Sequence, residues 1–180
     1  MRETNGSSAR ERQRIVDEFV DRAFAGIDPD APGAHIANGM RQLPPDAPDV
    51  LGPERQAAWE ELAALMGDES FQRGVRQMAV TGARGGEPPA EFDAERVGEH
   101  AGAAVAAGVA PDSARGQEIL GRILAPGTTA ERRARLAERV ATFTDRRVER
   151  YWLLMGVLND RPPFPESAPA YEWFAAALRA

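Results

Sequence analysis

The sequence predicts an all-α fold, a single compact bundle of about eight or nine short helices. Three observations indicate this class. Ala, Arg, Glu and Leu are abundant while β-branched and aromatic residues are scarce, a composition that favours helix. Apolar residues recur with a period of about 3.6 along most segments. Prolines and glycines fall between those segments, where they end one helix or begin the next.

The N-terminal half contains four of these helices. Residues 1–8 are expected to be disordered, and the helical domain to occupy residues 9–180. Ser7 or Ser8 caps a first helix that continues to about Ala25, because serine accepts the free N–H groups of a first turn. A short helix over 34–43 ends at two prolines. Pro53 begins a helix over 53–66, and Asp68 caps the next one.

The C-terminal half begins with a connection rich in glycine and proline, residues 82–89, which is a candidate hinge or lid. Helices over 90–107 and 114–124 follow, and Pro126 and Gly127 end the second of them. Thr128 or Thr129 caps a helix that ends near Phe143. The most apolar helix is predicted over 146–158, and after a loop with four prolines a last helix covers 170–179.

Composition excludes several chemistries. The chain has no cysteine, so disulfides, thiolate nucleophiles and zinc–thiolate sites are excluded. It has 22 arginines and no lysine, so it offers neither a Schiff-base lysine nor a phosphate-loop lysine. No apolar run is long enough for a signal peptide or a transmembrane helix, which predicts a cytoplasmic protein that does not bind membranes. No metal or other cofactor is expected.

Acid/base candidates are few. His35 and His100 are the two histidines, and Glu99 and Asp93 lie close to His100 in the sequence. If the fold brings a histidine and a carboxylate together in a cleft, they could transfer a proton. The alternative is that all of them are ordinary residues on helix surfaces, and the sequence favours that interpretation.

An arginine-rich stretch is balanced by acids. Seven arginines between residues 132 and 150 alternate with four acidic residues at 131, 138, 145 and 149. The net charge of the chain is −6. Direct nucleic-acid binding would require a less compensated basic surface. The pattern therefore predicts a solvated surface with ion pairs.

Aromatic residues are the candidates for ligand contact. Four of the five tryptophans and tyrosines lie in the last thirty residues. Neighbouring residues on a helix point about 100° apart, so Tyr151 and Trp152 cannot both face the core. Amphipathic rings that do not face the core often line clefts for small molecules. The predicted ligand contacts are Trp59, His35, His100, Tyr151, Trp152, Met155 and Trp173.

An ordered set of stretches resembles a known family. The stretches are DRAFAGID (21–28), AAWEELAAL (57–65), VAAGVAPDS (105–113), VERYWLLMGVLN (148–159) and YEWFAAAL (171–178). Together they resemble the C-terminal effector domain of actinobacterial MerR-family regulators, which is related to the antibiotic-binding TipA-type domain. The absence of lysine fits the codon bias of such a GC-rich genome. The resemblance implies an all-helical domain that accommodates hydrophobic compounds, without the winged helix-turn-helix and long dimerising helix of those regulators.

Two functions follow as expectations. The first is a protein that senses or sequesters a small hydrophobic or amphipathic molecule, such as a natural product or antibiotic, in a cleft between helices. The alternative is a cofactor-free enzyme of secondary-metabolite biosynthesis, in which Tyr151, His100, Glu99 or Asp93 would move a proton. A third possibility is an interaction protein that forms a homodimer or binds a pathway partner through its aromatic helices.

Overall fold

The computed structural model describes residues 7–85 and 92–180, and within these ranges the chain is all-α. The all-α prediction is confirmed: the described residues form nine helical segments and no strand, apart from an isolated antiparallel bridge between Phe92 and Leu124. The helices are α1 Ala9–Ala23, α2 Ile36–Met40, α3 Pro53–Gly67, α4 Glu69–Ala83, α5 over 94–106, α6 Ala114–Ile123, α7 Ala130–Phe143, α8 Arg146–Leu158 and α9 Ala168–Arg179.

Capping residues determine where these helices begin. The side chains of Ser8, Asp68, Ser113 and Thr129 accept backbone N–H groups at the starts of α1, α4, α6 and α7. The predicted caps at Ser8, Asp68 and Thr129 are therefore confirmed.

Three helices begin at least two residues away from their predicted starts. Helix α5 begins at Ala94 rather than near residue 90, because the Asp93 side chain accepts the N–H of Glu95 at its first turn. Helix α2 is a short segment of five residues, and α9 begins two residues early because proline is tolerated in a first helical turn.

The helices cluster into two compact units by their contacts. The first unit consists of residues 1–85 and 150–164, and the second of 86–149 and 165–180. The division falls inside α8, between Glu149 and Arg150.

The first unit has an aromatic core. Phe19 of α1, Phe71 of α4 and Tyr151 of α8 are at most 1% exposed. The Phe19 and Phe71 rings stack with centroids 5.7 Å apart, and the Tyr151 ring lies 5.8 Å and 6.2 Å from them. Such contacts between rings stabilise a core by more than the burial of their apolar area alone would.

The second unit is built from smaller residues. Helix α9 buries Phe174 and Trp173 together with several alanines, and further alanines face the same core from α5 and α7. Helix α6 approaches a neighbouring turn closely: a Cβ atom at Gly116 would lie 2.3 Å from the Ala110 carbonyl oxygen. Only glycine fits there, because a real Cβ atom does not approach a carbonyl oxygen so closely.

A carboxylate from α8 caps helix α9. The Glu149 side chain accepts the backbone N–H groups of Ser167 and Ala168 and the Ser167 hydroxyl, at 2.6–3.3 Å. The Ser167 side chain makes no such cap itself. The free N–H groups at the helix start are thus satisfied by a residue eighteen positions earlier.

Helix α5 contains an unusual turn. A π-helical segment, Val97–Ala101, lies between α-helical Ala94–Arg96 and Gly102–Ala106. The segment contains Glu99 and His100. Half of the predicted lid, residues 86–89, lies outside the described residues, while 82–83 belong to the end of α4. In the parts of the chain that are described, no helix combines the length and apolar character required to cross a bilayer.

Candidate functional site

Tyr151 is a buried residue of α8 that lies next to the candidate site. Its hydroxyl donates a hydrogen bond to the Met40 carbonyl oxygen at 2.6 Å, and its side chain is completely buried. Burial raises the pKa of the Tyr151 phenol well above its usual value of 10.0, an effect that the positive charge of Arg41 partly offsets. The phenol therefore has a structural role: its hydrogen bond links α8 to α2.

Trp152 is the next residue on α8 and has a different environment. Its indole is half-buried and packs edge-on against the Tyr151 ring, with centroids 5.8 Å apart. On α2, the Cα of Gly39 approaches so closely that an added Cβ would lie 3.3 Å from Cη2 of the indole. One of the two adjacent rings therefore belongs to the core and the other is at the surface, as their 100° separation requires.

The C-terminus of α8 directs the chain past Trp152. Asp160 has a positive φ of 52°, and the N–H of Arg161 donates to the Gly156 carbonyl oxygen at 2.8 Å. This is a Schellman-type end with aspartate in the place usually occupied by glycine. Asp160 also forms an ion pair with Arg55. The cap turns the segment 161–164 back along the helix.

These elements surround an open cleft with a volume of about 220 Å³. Trp152, Leu153, Met155 and the proline-rich segment form mostly apolar walls. Polar groups come from Gln42, Asn159 and Arg161. The Asn159 amide nitrogen donates to the Gln42 and Met155 carbonyl oxygens at 2.9 Å and 2.8 Å, which fixes that side of the cleft.

A larger depression of about 810 Å³ lies on the other side of the same proline-rich segment. Four of the six charged residues that line it are paired with one another: Arg55 with Asp160, and Arg150 with Glu61 at 2.5 Å. The hydrogen bond from Arg150 lowers the pKa of the Glu61 carboxyl. Because four of these charges already have partners, the charged groups left for a ligand in the depression are Glu54 and Arg161, and Arg161 also lines the smaller cleft.

Five of the predicted site residues belong to the first unit, and two of them line the cleft. Trp152 and Met155 are brought together there, with Tyr151 behind the Trp152 ring. Trp59 is 3% exposed and belongs to the core, and His35 is an exposed residue that immediately precedes α2.

The other four predicted site residues belong to the second unit. Trp173 is 7% exposed, and its indole N–H donates to the Val109 carbonyl oxygen at 2.7 Å, so it is a core residue. Asp93 is exposed and caps α5 by accepting the N–H of Glu95. Glu99 is exposed and His100 half-buried. Burial, with a smaller effect of the Asp93 charge, raises the pKa of Tyr171 in this unit.

The sequence interpretation missed several residues of the cleft. Gly39, Asn159, Arg161 and Phe164 line it, yet their residue types carry no chemical signal of their own. A weak signal was present for Phe164, because a phenylalanine in a proline-rich loop often remains exposed; it is 43% exposed here. Gly39 could not be recognised because its role depends on the approach of Trp152, 113 positions later in the chain.

The arginine-rich stretch forms ion pairs, as its alternating charges predict. Arg146 pairs with Glu172 at 2.5 Å, Arg147 with Asp145 at 2.8 Å, and Arg135 with Glu131. The contact with Glu172 raises the pKa of Arg146. In the described ranges, no group of three or more histidine, aspartate or glutamate residues is placed to hold a metal ion.

No protein-family model, curated protein or solved structure matches this chain. The likeness to MerR-type effector domains therefore depends on the sequence stretches alone.

Proposed function

We propose that this protein binds a small apolar or amphipathic molecule, and that the cleft beside Trp152 is the binding site. The half-buried indole of Trp152 carries the proposal. Nothing in the described part of the chain accepts a hydrogen bond from its N–H group, whereas the buried Trp173 has such a partner. A ring held edge-on by Tyr151 and exposed to an apolar cleft offers both a face and a donor to a ligand.

The dimensions of the cleft restrict the ligand. At about 220 Å³ it is smaller than the usual small-molecule site, which measures about 300–1,000 Å³. A compact ring system or a short chain matches this volume better than a large antibiotic. The side chains of Gln42 and Arg161 favour a ligand with one or two acceptor atoms at its edge, whereas the Asn159 amide N–H groups already donate to backbone carbonyls.

The resemblance to MerR-type effector domains supports a role in sensing or sequestering such a molecule. Those domains are helical and accommodate hydrophobic compounds, and an all-α chain with an aromatic cleft suits that role. The acid/base candidates of the enzymatic alternative belong to different units. Tyr151 is in the first unit, and Asp93, Glu99 and His100 are in the second. No specific observation favours the enzyme.

The proposal is tested by titration with neutral ring compounds that do not absorb where indole does, such as cyclohexanol and camphor. We expect saturable binding by calorimetry, a rise in the melting temperature, and a change in tryptophan fluorescence that disappears in Trp152→Phe. The same change should persist in Trp173→Phe. If no compound binds saturably, or if Trp152→Phe binds as the wild type does, the proposed site is wrong.

A second variant narrows the cleft without removing any of its side chains. In Gly39→Ala the new methyl group would lie 3.3 Å from the indole, so the ring must shift. We expect affinity for the same probes to fall about tenfold, which corresponds to roughly 1.4 kcal/mol. Gly67→Ala is the matched control, because a Cβ there meets no atom within 4 Å. Equal affinities in the two variants would contradict the placement of the ligand against Trp152.

A further inference from the structure

Arg12 is a buried cation in the first unit. It lies four residues before Val16 and eight before Val20, on the apolar face of α1, and is only 3% exposed. Its guanidinium donates to the Pro48 carbonyl oxygen at 2.6 Å, to that of Asp49 at 3.1 Å, and to that of Ser7. These neutral acceptors hold the group in place without neutralising its charge.

The charge of Arg12 is uncompensated within residues 7–85 and 92–180. No carboxylate there forms an ion pair with it, and the Asp49 carboxylate instead accepts the Ala9 N–H at 2.9 Å. A guanidinium has five N–H donors, so the three contacts above leave two for another acceptor. A buried charge is costly unless it is paired, which makes an unpaired arginine at this depth an uncommon arrangement.

Arg12 lines a cleft with a volume of about 240 Å³, formed with the chain that follows α2. Three arginines contribute to the lining, Arg10, Arg12 and Arg55, and none of the described residues that line the cleft is acidic. This is notable in a chain with a net charge of −6. The remaining walls are mainly apolar and come from Leu43, Pro44, Pro45, Ala47, Leu51 and Leu158.

We propose that this cleft is a second binding site, separate from the one beside Trp152, and that it takes an amphipathic carboxylate with a short apolar chain. The carboxylate would accept the two remaining N–H groups of Arg12, a charge-assisted contact in which the ligand supplies the missing negative charge. The apolar chain would lie against the leucine and proline walls. Arg10 adds positive charge to the lining, while the charge of Arg55 is paired with Asp160.

Hexanoate is the probe, with hexan-1-ol and hexyl phosphate as comparison ligands for the wild-type protein. We expect saturable calorimetric binding of hexanoate at least tenfold tighter than that of hexan-1-ol, and weaker binding of hexanoate as salt is added. Equal affinities for hexanoate and hexan-1-ol would overturn the proposal. Binding of hexyl phosphate without binding of hexanoate would also overturn it, because the site would then be selective for phosphate.

Variants separate the charge of Arg12 from its structural contacts. Arg12→Gln should abolish the preference for hexanoate and Arg12→Lys should keep part of it. Arg14→Gln, on the same helix with an exposed ion pair to Glu18, should keep all of it. If Arg12→Gln does not fold, Ala47→Glu and Ala47→Gln provide the test, because they differ only in the charge added to the lining.

The two Ala47 variants have clear expected outcomes. Glutamate should weaken hexanoate binding at least tenfold relative to glutamine, since its carboxylate would occupy or repel the ligand site. The proposal fails if both variants bind hexanoate equally well. Trp152→Phe should leave hexanoate binding unchanged, so the result is independent of the cleft beside Trp152.

Discussion

The two units stabilise their interiors with different side chains. The first unit stacks three large rings, Phe19, Phe71 and Tyr151, and contains both proposed clefts. The second surrounds Trp173 and Phe174 with small residues, mainly alanines. Both interiors are close-packed, but with side chains of different size. Neither proposed cleft is lined by the three stacked rings, so the clefts lie outside the aromatic core.

The largest expected change in stability comes from a substitution in the aromatic core of the first unit. Phe71→Ala removes a completely buried ring that stacks on two others, so we expect a loss of about 3–5 kcal/mol in the free energy of unfolding. Urea denaturation measures the loss, and hydrogen exchange locates it in the first unit. Val50→Ala is the control, because Val50 is 85% exposed and should change stability little. A similar loss of protection in both units would contradict the comparison.

The second unit should be sensitive to added volume. In Gly116→Ala the new methyl group would meet the Ala110 and Pro111 carbonyl oxygens at 2.3 Å and 2.7 Å, so the helix must move. We expect destabilisation of about 1–3 kcal/mol. Gly121→Ala on the same helix meets no atom within 4 Å and should be stabilising by up to about 1 kcal/mol. Thermal unfolding of the two variants shows whether each one is more or less stable than the wild type. Destabilisation of both would argue against close packing as the cause.

The smallest effect concerns the polar contact within the aromatic core. Tyr151→Phe leaves the Met40 carbonyl without its donor, so we expect a loss of about 1 kcal/mol at neutral pH. The pKa of Tyr151 is raised in the folded state, so the folded protein holds this proton more tightly than the unfolded chain does. Its contribution is complete below the unfolded value of 10.0 and is lost as the pH rises above it.

Stability measured against pH checks this assignment. Between about pH 10 and 11 the wild type should lose stability faster than Tyr151→Phe, so the difference between them should shrink. Tyr171→Phe is the comparison variant, because Tyr171 is only half-buried and its pKa is also raised. A constant difference between the wild type and Tyr151→Phe across this range would show that Tyr151 is not the group that titrates.

Much of the fold could be predicted from the sequence, because its signals are local. Ser8, Asp68 and Thr129 act within one helical turn, and the bounds of α8 follow from its apolar run and flanking residues. The location of α2 was also predicted, although not its short length. The predicted site was less well defined: Trp152 and Met155 lie together in a cleft, while Trp59 and Trp173 are core residues.

The features that could not be predicted from the sequence depend on contacts between residues far apart in the chain. Arg12 lies on the apolar face of α1, so its spacing from Val16 and Val20 was a usable sign of burial. Its partners, the carbonyl groups of Pro48 and Asp49, are more than thirty positions away and leave no pattern in the sequence. Glu149 was assigned to a solvated arginine-rich surface, and only the fold shows that it caps another helix.

The Glu149 cap has a consequence for the order of assembly. Helix α9 depends on an acceptor that becomes fixed only when the first turn of α8 has formed. Since α8 precedes α9 in the chain, the ribosome releases the acceptor before the amide groups that it binds. We therefore expect the amides of Ser167 and Ala168 to gain protection no earlier than those of α8, which pulse-labelling during refolding can measure.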